Sequence, residues 1–586
     1  MKIDLREVPF SLNNKQIAWV EEMVKSMSLE EKIGQILCPA LPGIEEEEFC
    51  HYVQKLHVGS MMIRPMKAEG LQEGLRKVQQ AARIPLMIAA NLESGGNGAV
   101  AEGTLYAMPE GCSATGDRES GYRLGKIACQ EAASVGVNWG FAPLVDIDMS
   151  YRNPITNVRS FGADKEVVAA MAGGYLRAAR EEGVASSIKH FPGDGVDERD
   201  QHLLVSVNSL SYQDWMDTYG YVYKKMIAQG APSLMAGHIA QPAVARHVEP
   251  GISDIDAMLP GSLSKFLLTD FLRNELGFNG LIVTDSTLMV GFMQCMPRKK
   301  AVPYCIQCGC DVLLFNRNVD EDYNYMMEGY KAGVLSEERL TEAVIRVLAL
   351  KASLNLHVRQ QEGTLVPTID PMKVIKNNIT QQWVRECADK AVTLVKDNHK
   401  LLPLSPDKTK SIYLNVIENH VVNNSLFALD IKDRLEKEGF EVELRQRAFE
   451  FDSGAMMNGT MTPDMARIMG EVQATTEEFT SHYDMCMIVV NMETVSNATT
   501  VRIDWKVMFG MGNDIPWYAG EMPLVVMSTA NPYHLLDIPM AQVYVNTYTA
   551  SPETLNSAFD KLMGRSKFKG ISPVDAFCGH EDCRVF

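Results

Sequence analysis

Eight short apolar runs, each followed by a longer stretch with helical spacing, fill the first 350 residues of the chain and constrain its fold more than any other feature. The runs are IGQILCPA (33–40), VGSMMIRP (58–65), PLMIAANLE (85–93), NWGFAPLVDI (138–147), ASSIKHF (185–191), PSLMAGHI (232–239), GLIVTDS (280–286) and DVLLFN (311–316). Near-continuous apolar runs mark strands buried on both faces, which requires helices between them and a parallel sheet. Residues 164–183, DKEVVAAMAGGYLRAAREEG, show the helical counterpart, with an acid to cap the start and a glycine at the end. Eight such units predict a (β/α)8 TIM-type barrel, with a doubly wound open sheet as the rival.

Residues 356–372 are polar, contain Pro367 and Pro371, and break this rhythm, so they are expected to be a linker between residues 1–355 and 373–586. Beyond them SIYLNVIE (411–418), EVELRQ (441–446), MCMIVVN (485–491), PLVVMSTA (523–530) and AQVYVNTYT (541–549) begin a second series. This predicts a three-layer α/β/α sandwich domain. Its expected roles are to pack against the barrel, shape a wall of the pocket or offer an oligomer interface, a homodimer being the assembly left open.

A net charge of -18 argues against nucleic acid and polyanionic substrates, and leaves neutral or cationic small molecules. The N-terminal stretch has scattered charges and no apolar core, unlike a secretory signal, and no run of membrane-spanning length occurs. Twelve cysteines without framework spacing suit a reducing compartment, so a cytoplasmic location is expected and the sequons at Asn378 and Asn497 carry no weight. CIQCGC (305–310) has no second ligand pair for structural zinc and reads as buried thiols. CGHEDC (578–583) stays undecided, no metal is expected, and GMGND (510–514) lacks the strand–glycine–helix context of a nucleotide loop.

In such a barrel the active site lies at the C-terminal ends of the strands. Polar residues there are Glu93 after the third run, Asp146 and Asp148 after the fourth, and Lys189 and His190 closing the fifth. His238, Asp285 and Asn316 end the sixth, seventh and eighth. Helix capping is the competing role for Asp285, and a structural hydrogen bond for His238. In KHFPGDGVDERDQH (189–202), Asp200 and His202 fall on one face of an extended segment. A carboxylate on one imidazole nitrogen fixes the tautomer and leaves the other to exchange protons, as a general acid and then a general base. A salt-linked surface loop is the alternative.

KHFPGDG followed by DQH resembles the strand-five signature of glycoside hydrolase family 3. GFNGLIVTDSTLM (277–289) is similar to that family's nucleophile segment and RNPITNVRSFG (152–162) to its strand-four loop. VTLVKDNHKLLPL (392–404) and PYHLLDIPMAQVYVNTY (532–548) extend the resemblance over nearly the whole chain. The Asp-x-His pattern resembles the β-N-acetylglucosaminidase branch. The resemblance implies Asp285 as nucleophile, His202 as acid/base, Asp200 as its orienting partner, and Arg159, Lys189 and His190 as sugar-hydroxyl contacts. Glu93, His238 and Asn91 join them as candidate substrate-binding residues.

Two positions depart from the family pattern. NLESGGNGAVAEG (91–103) has Asn91 where the family has Asp, and no arginine close behind. Asn offers one acceptor and one donor face where an ionised Asp only accepts, so the hydroxyl pattern recognised is expected to differ. Asp194 stands where the family has the second histidine of KHFPGHG. The expected reaction is cofactor-free, retaining exo-hydrolysis of a small neutral or amino-sugar glycoside or oligosaccharide, with β-N-acetylglucosaminidase activity first. A histidine acid/base is neutral once deprotonated and does not repel an anion, so a glycoside phosphorylase is the alternative. A β-glycosidase of changed sugar specificity and a non-catalytic sugar-binding relic complete the set.

Overall fold

The computed structural model describes all residues except 1–2, 420–424, 446–457, 461–462, 464–473, 494–495, 498, 504, 506, 509–510 and 513–514. The chain divides into two compact units. The first comprises residues 1–113, 117–384 and 495–500, the second residues 114–116, 385–494 and 501–586.

In the first unit each apolar run contributes a parallel strand. These are β1 (Leu37–Cys38), β2 (Ser60–Met62), β3 (Met87–Ala90), β4 (Trp139–Gly140), β5 (Ala185–Phe191), β6 (Ser233–Ala236), β7 (Leu281–Thr284) and β8 (Leu313–Leu314). A six-stranded sheet runs from β2 to β7 in chain order, and β1 pairs with β8. Parallel bridges Ala40–Met62 and Val283–Val312 join the two sets, so the strands close into a barrel and leave no sheet edge. Across the interior, the Trp139 indole donates to Ser233 Oγ at 2.9 Å, and that hydroxyl donates to the Ser186 carbonyl at 3.0 Å. The indole N–H is thus satisfied although it is buried.

The helix expected over 164–183 spans Lys165–Glu181, with the Asp164 carboxylate capping the amides of Glu166 and Val167. Several runs outlast their strands, the first for a local reason. Ile33, Gly34 and Gln35 belong to the helix Leu29–Gln35, because Ser28 and Glu31 form a capping box that starts it just ahead of β1. Residues 356–372 lie in the first unit and begin with a helix, Leu356–Gln361.

The second unit is built on β9 (Thr393–Asp397), β10 (Ser411–Glu418), β11 (Glu441–Leu444), β12 (Met485–Asn491), β13 (Leu524–Ser528) and β14 (Val543–Asn546). Their order is β9-β14-β13-β12-β10-β11, with every pair parallel except β9 with β14. Alternate residues feed two cores: Ile412, Leu414 and Val416 with Met485, Met487 and Val489 on one face, Tyr413 and Ile417 with Cys486, Ile488 and Val490 on the other. A sheet buried on both faces makes the three-layer α/β/α sandwich. Strand β9 has no counterpart among the expected strands, since Lys396 and Asp397 interrupt its apolar pattern. Gln446, expected to end β11, lies outside the described residues, as does most of GMGND. Among the described residues no helix is long and apolar enough to cross a membrane.

Cys305, Cys308 and Cys310 are buried free thiols, and burial pushes the Cys308 thiol up to about 12. In the tail, Cys583 is buried in the second apolar core while Cys578 is half-buried.

The first unit also buries a lysine. Lys351, on the helix Glu337–Ser353, is fully buried with its ammonium on Gln35 Oε1 at 2.6 Å, and burial pushes its pKa down to about 7. In the unfolded chain it titrates near ~10.4. As pH falls from there towards 7 the unfolded state alone gains the proton, so stability is lost through that window and the full loss holds below it. Lys351→Met is therefore expected to raise the thermal midpoint relative to wild type, and by more at pH 6 than at pH 9 in calorimetry. An equal change at both values would contradict this.

Candidate active site

The fifth strand delivers the first charged residues to the barrel mouth. All seven residues of β5 are buried, and the strand ends in Lys189, His190 and Phe191. Lys189 Nζ donates to Glu93 Oε1 at 2.5 Å. Arg159, from the loop after β4, donates from Nε and Nη2 to the two Glu93 oxygens at 2.8 and 2.9 Å. Burial alone would raise the Glu93 carboxyl, but Arg159 and Lys189 outweigh it and hold the group well below the usual range. The three side chains form a fixed cluster with one cationic charge in excess.

His190 is set by Asp146, a fully buried carboxylate in the segment that follows β4. Asp146 Oδ2 accepts the His190 Nδ1–H at 2.7 Å, and its Oδ1 accepts the backbone N–H of His190 at 3.0 Å and of Asp194 at 2.8 Å. The ring therefore presents Nε2 to the mouth, 3.8 Å from Asp285 Oδ2. Asp285 follows β7 directly. Its Oδ1 accepts the Ser286 amide at 2.7 Å, and Oδ2 has no hydrogen-bond donor among the described residues. Burial would raise this carboxyl too; His190, His238, His202 and the Ser286 amide together bring it below its ordinary value.

The chain leaves β5 through a turn that only glycine can make. Gly193 has φ +115° and a Cβ there would stand 2.3 Å from the Tyr219 ring; Gly195 has φ +106° and would meet the Ile147 carbonyl at 2.0 Å. Between them Asp194 is buried and accepts from Asn153 Nδ2 at 2.8 Å, from the Gly195 amide at 2.8 Å and from Gln201 Nε2 at 3.2 Å. Burial first, then the neighbouring Asp146, carries its carboxyl up to about 6.

At the far end of the loop, Asp200 Oδ1 accepts both the backbone N–H and the Nδ1 proton of His202 at 2.7 Å. His202 keeps Nε2 free on a partly exposed ring, and its carbonyl accepts the Val290 amide at 2.9 Å. Asp200 Oδ2 accepts the backbone N–H of Asn497 at 2.6 Å. Asn497 lies beyond β12 in sequence yet belongs to the first unit, and adopts φ +69°, a left-handed conformation that asparagine tolerates.

His238 occupies a different place from a substrate contact. It is fully buried, its Nε2 donates to the Ser286 carbonyl at 2.9 Å, and its Nδ1 accepts from the Ser262 hydroxyl at 2.8 Å. No ring nitrogen is left for a sugar, and the side chain holds up the turn after Asp285. Asn91 is exposed, two residues before Glu93. Asn316 donates to Asp322, which also takes the Arg298 guanidinium. Asp148 accepts the Thr156 hydroxyl at 2.8 Å. Asn153 and Gln201 stand inside the quoted strand-four and DQH motifs without an assigned role, and Asn497 enters the sequence reading only as a sequon.

Acidic, histidine and cationic side chains converge on the C-terminal mouth of a closed parallel barrel, where a barrel enzyme carries its active site. Residues 28–350 match the model of the glycosyl hydrolase family 3 N-terminal domain, and the chain belongs to glycoside hydrolase family 3. It is 40% identical to a "Beta-N-acetylglucosaminidase/beta-glucosidase" of Cellulomonas fimi, over 100% of both chains. Among solved structures, "Beta-glucoside phosphorylase BglX" matches with TM-score 0.89 and 42% identity, covering 99% of each chain. A family 3 β-N-acetylglucosaminidase of Paenibacillus sp. str. FPU-7 shares the fold, with TM-score 0.75 and 22% identity over 94% of this chain and 99% of that one.

The Asn497 contact is open to test. Asn497→Gly keeps both the N–H and the left-handed backbone, and turnover of a nitrophenyl glycoside should stay within about twofold of wild type. Asn497→Pro removes the donor and should lower kcat roughly 10- to 100-fold, the cost of a displaced catalytic loop. Equal rates for the two variants would show that the contact is idle.

Proposed function

We propose that the chain is a retaining, exo-acting β-glycosidase that transfers a non-reducing terminal glucose or N-acetylglucosamine residue to inorganic phosphate. The observation that carries the reading is the contrast between two oxygens. Asp285 Oδ2 has no hydrogen-bond donor among the described residues, whereas both oxygens of Asp200 are engaged. Asp285 thus has a lone pair to attack the anomeric carbon, and Asp200 is fixed as the partner of His202.

In the first step a C–O bond forms from Asp285 Oδ2 to the anomeric carbon while the glycosidic bond breaks, and His202 Nε2 gives its proton to the departing oxygen. Arg159, Lys189, His190 and Glu93 form the hydroxyl-binding wall, with Asn91 at its rim. In the second step an acceptor attacks the glycosyl ester, His202 takes the acceptor's proton, and Asp285 leaves as the carboxylate.

The acceptor follows from charge. Once His202 has donated, it is neutral; Asp285 is neutral as an ester; and the Glu93 cluster retains one excess cation. An anion therefore meets a neutral imidazole in the acid/base position, with the Asp200 carboxylate behind it held by three N–H donors. The 42% identical structure named as a β-glucoside phosphorylase supports this choice. Hydrolysis by the same steps, with N-acetylglucosaminides as donors, is the second reading, favoured by the name of the Cellulomonas fimi relative. The catalytic part is residues 1–355 in this reading, and twelve free cysteines support a reducing, cytoplasmic setting.

The test runs nitrophenyl β-glucoside and β-N-acetylglucosaminide with and without phosphate. Sugar 1-phosphate should accumulate in phosphate, and free sugar should predominate without it. Free sugar alone in both buffers would leave the hydrolase. Asp285→Asn should lower kcat roughly ten-thousand-fold, and unchanged turnover would remove Asp285 from the chemistry.

A further inference from the structure

A hydrogen-bonded chain runs round the barrel mouth, and one side chain joins its two halves. On one side, Asp146 holds His190 and the backbone N–H of Asp194. On the other, His238 Nε2 donates to the Ser286 carbonyl, and the Ser286 amide donates to Asp285 Oδ1. Gln201 lies between them with no exposed surface. Its Nε2 donates to Asp194 Oδ2 at 3.2 Å, and its Oε1 accepts the backbone N–H of His238 at 2.8 Å.

We propose that Gln201 is a positioning residue: by bridging Asp194 to the backbone of His238, it sets where His202 stands relative to Asp285. The inference rests on His202 as proton donor and Asp285 as nucleophile, and adds the element that holds their separation. Three features support it. Gln201 sits between Asp200 and His202 in sequence, so its backbone cannot move without moving the dyad. The space beside it is closed, since a Cβ on Gly291 would stand 2.5 Å from the Gln201 carbonyl and 3.0 Å from His238 Cβ. The chain just after the dyad is tied to the same strand end, with the Ser206 amide donating to the His238 carbonyl at 3.2 Å.

The bridge also accounts for Asp194, which carries no sugar-facing atom among its hydrogen bonds. Its Oδ1 is taken by Asn153 and Gly195, and Oδ2 meets the amide of Gln201. An acceptor is needed there because an amide N–H buried without a partner costs about 1–3 kcal/mol. A mobile proton donor would still permit attack by Asp285, but would no longer protonate a poor leaving group in time.

That difference supplies the test, read in kcat/KM, which reports the first step. Gln201→Met keeps the volume and removes both hydrogen bonds. It should lower kcat/KM roughly 10- to 100-fold for a phenyl β-glycoside and less than about threefold for the 2,4-dinitrophenyl glycoside, whose departure needs no acid. Gln201→Glu keeps the acceptor for His238 but sets a carboxylate against Asp194, among Asp146, His190, Tyr219, His238, Asp200 and His202. Two such carboxylates share a proton at low pH and repel when both ionise, so the same selective loss should be larger at pH 8 than at pH 5.5, relative to wild type. This second variant serves where the first does not fold.

Equal losses on both substrates would mark Gln201 as merely structural and overturn the proposal. His202→Ala separates the two layers. If it shows the selective loss while the Gln201 variants do not, only the inference fails. If it shows none, the assignment of His202 falls and the inference falls with it.

Discussion

The Asp146 carboxylate is the point on which the barrel mouth depends. A fully buried carboxylate costs several kcal/mol unless its lone pairs are met, and here three N–H groups meet them, two from His190 and one from Asp194. Those bonds fix the His190 tautomer, the direction of its free nitrogen and the path of the chain out of β5. The glycines follow from the same constraint. A loop held against Asp146 must turn so tightly that Gly193 and Gly195 take positive φ and touch Tyr219 and the Ile147 carbonyl. Everything downstream, including the Asp200–His202 pair, is reached through that turn.

What the sequence made legible was whatever depends on neighbours along the chain. Barrel strands buried on both faces need unbroken apolar runs, so their places could be read, and so could the residues on which the runs stop. Lys189, Glu93, His190 and Asp285 stand at strand ends and the structure brings them within 2.5–3.8 Å in pairs. Short strands such as β1 and β8 were overestimated, because an apolar run does not say where its helix ends and its strand begins. β9 was missed because Lys396 points away from the apolar pattern that marks a strand, its ammonium taken by the carbonyls of Pro539 and Cys583.

Contacts between distant residues were not legible. Asp194 looked like an unexplained replacement for histidine, since its partners Asn153 and Asp146 lie 41 and 48 positions away. The donor to Asp200 Oδ2 lies 297 positions away, and it is a backbone N–H, which no side-chain pattern announces. His238, for which a structural hydrogen bond is the competing reading, shows the converse. A histidine closing a strand is the same signal whether its ring faces the mouth or lies beneath it, and only the two hydrogen bonds to Ser262 and Ser286 separate these cases.

Five of the carboxylates at the mouth, of similar intrinsic acidity, are given unlike properties by their surroundings. Glu93 is neutralised by two cations, Asp146 and Asp200 are each saturated by three N–H donors, and Asp194 bridges loops with both oxygens in use. Asp285 alone is given a single amide donor, with the nearest imidazolium-capable nitrogen held at 3.8 Å, beyond hydrogen-bond reach. Each donor added to a carboxylate stabilises its charge and lowers its nucleophilicity, so withholding donors is a way to make one acid reactive without changing its type. His190 and His202 then act on Asp285 through space, favouring its ionised form against the pull of burial without occupying the oxygen that must form a bond. The difference between the structural carboxylates and the one poised to react is therefore written in the donors around them, not in the residue itself.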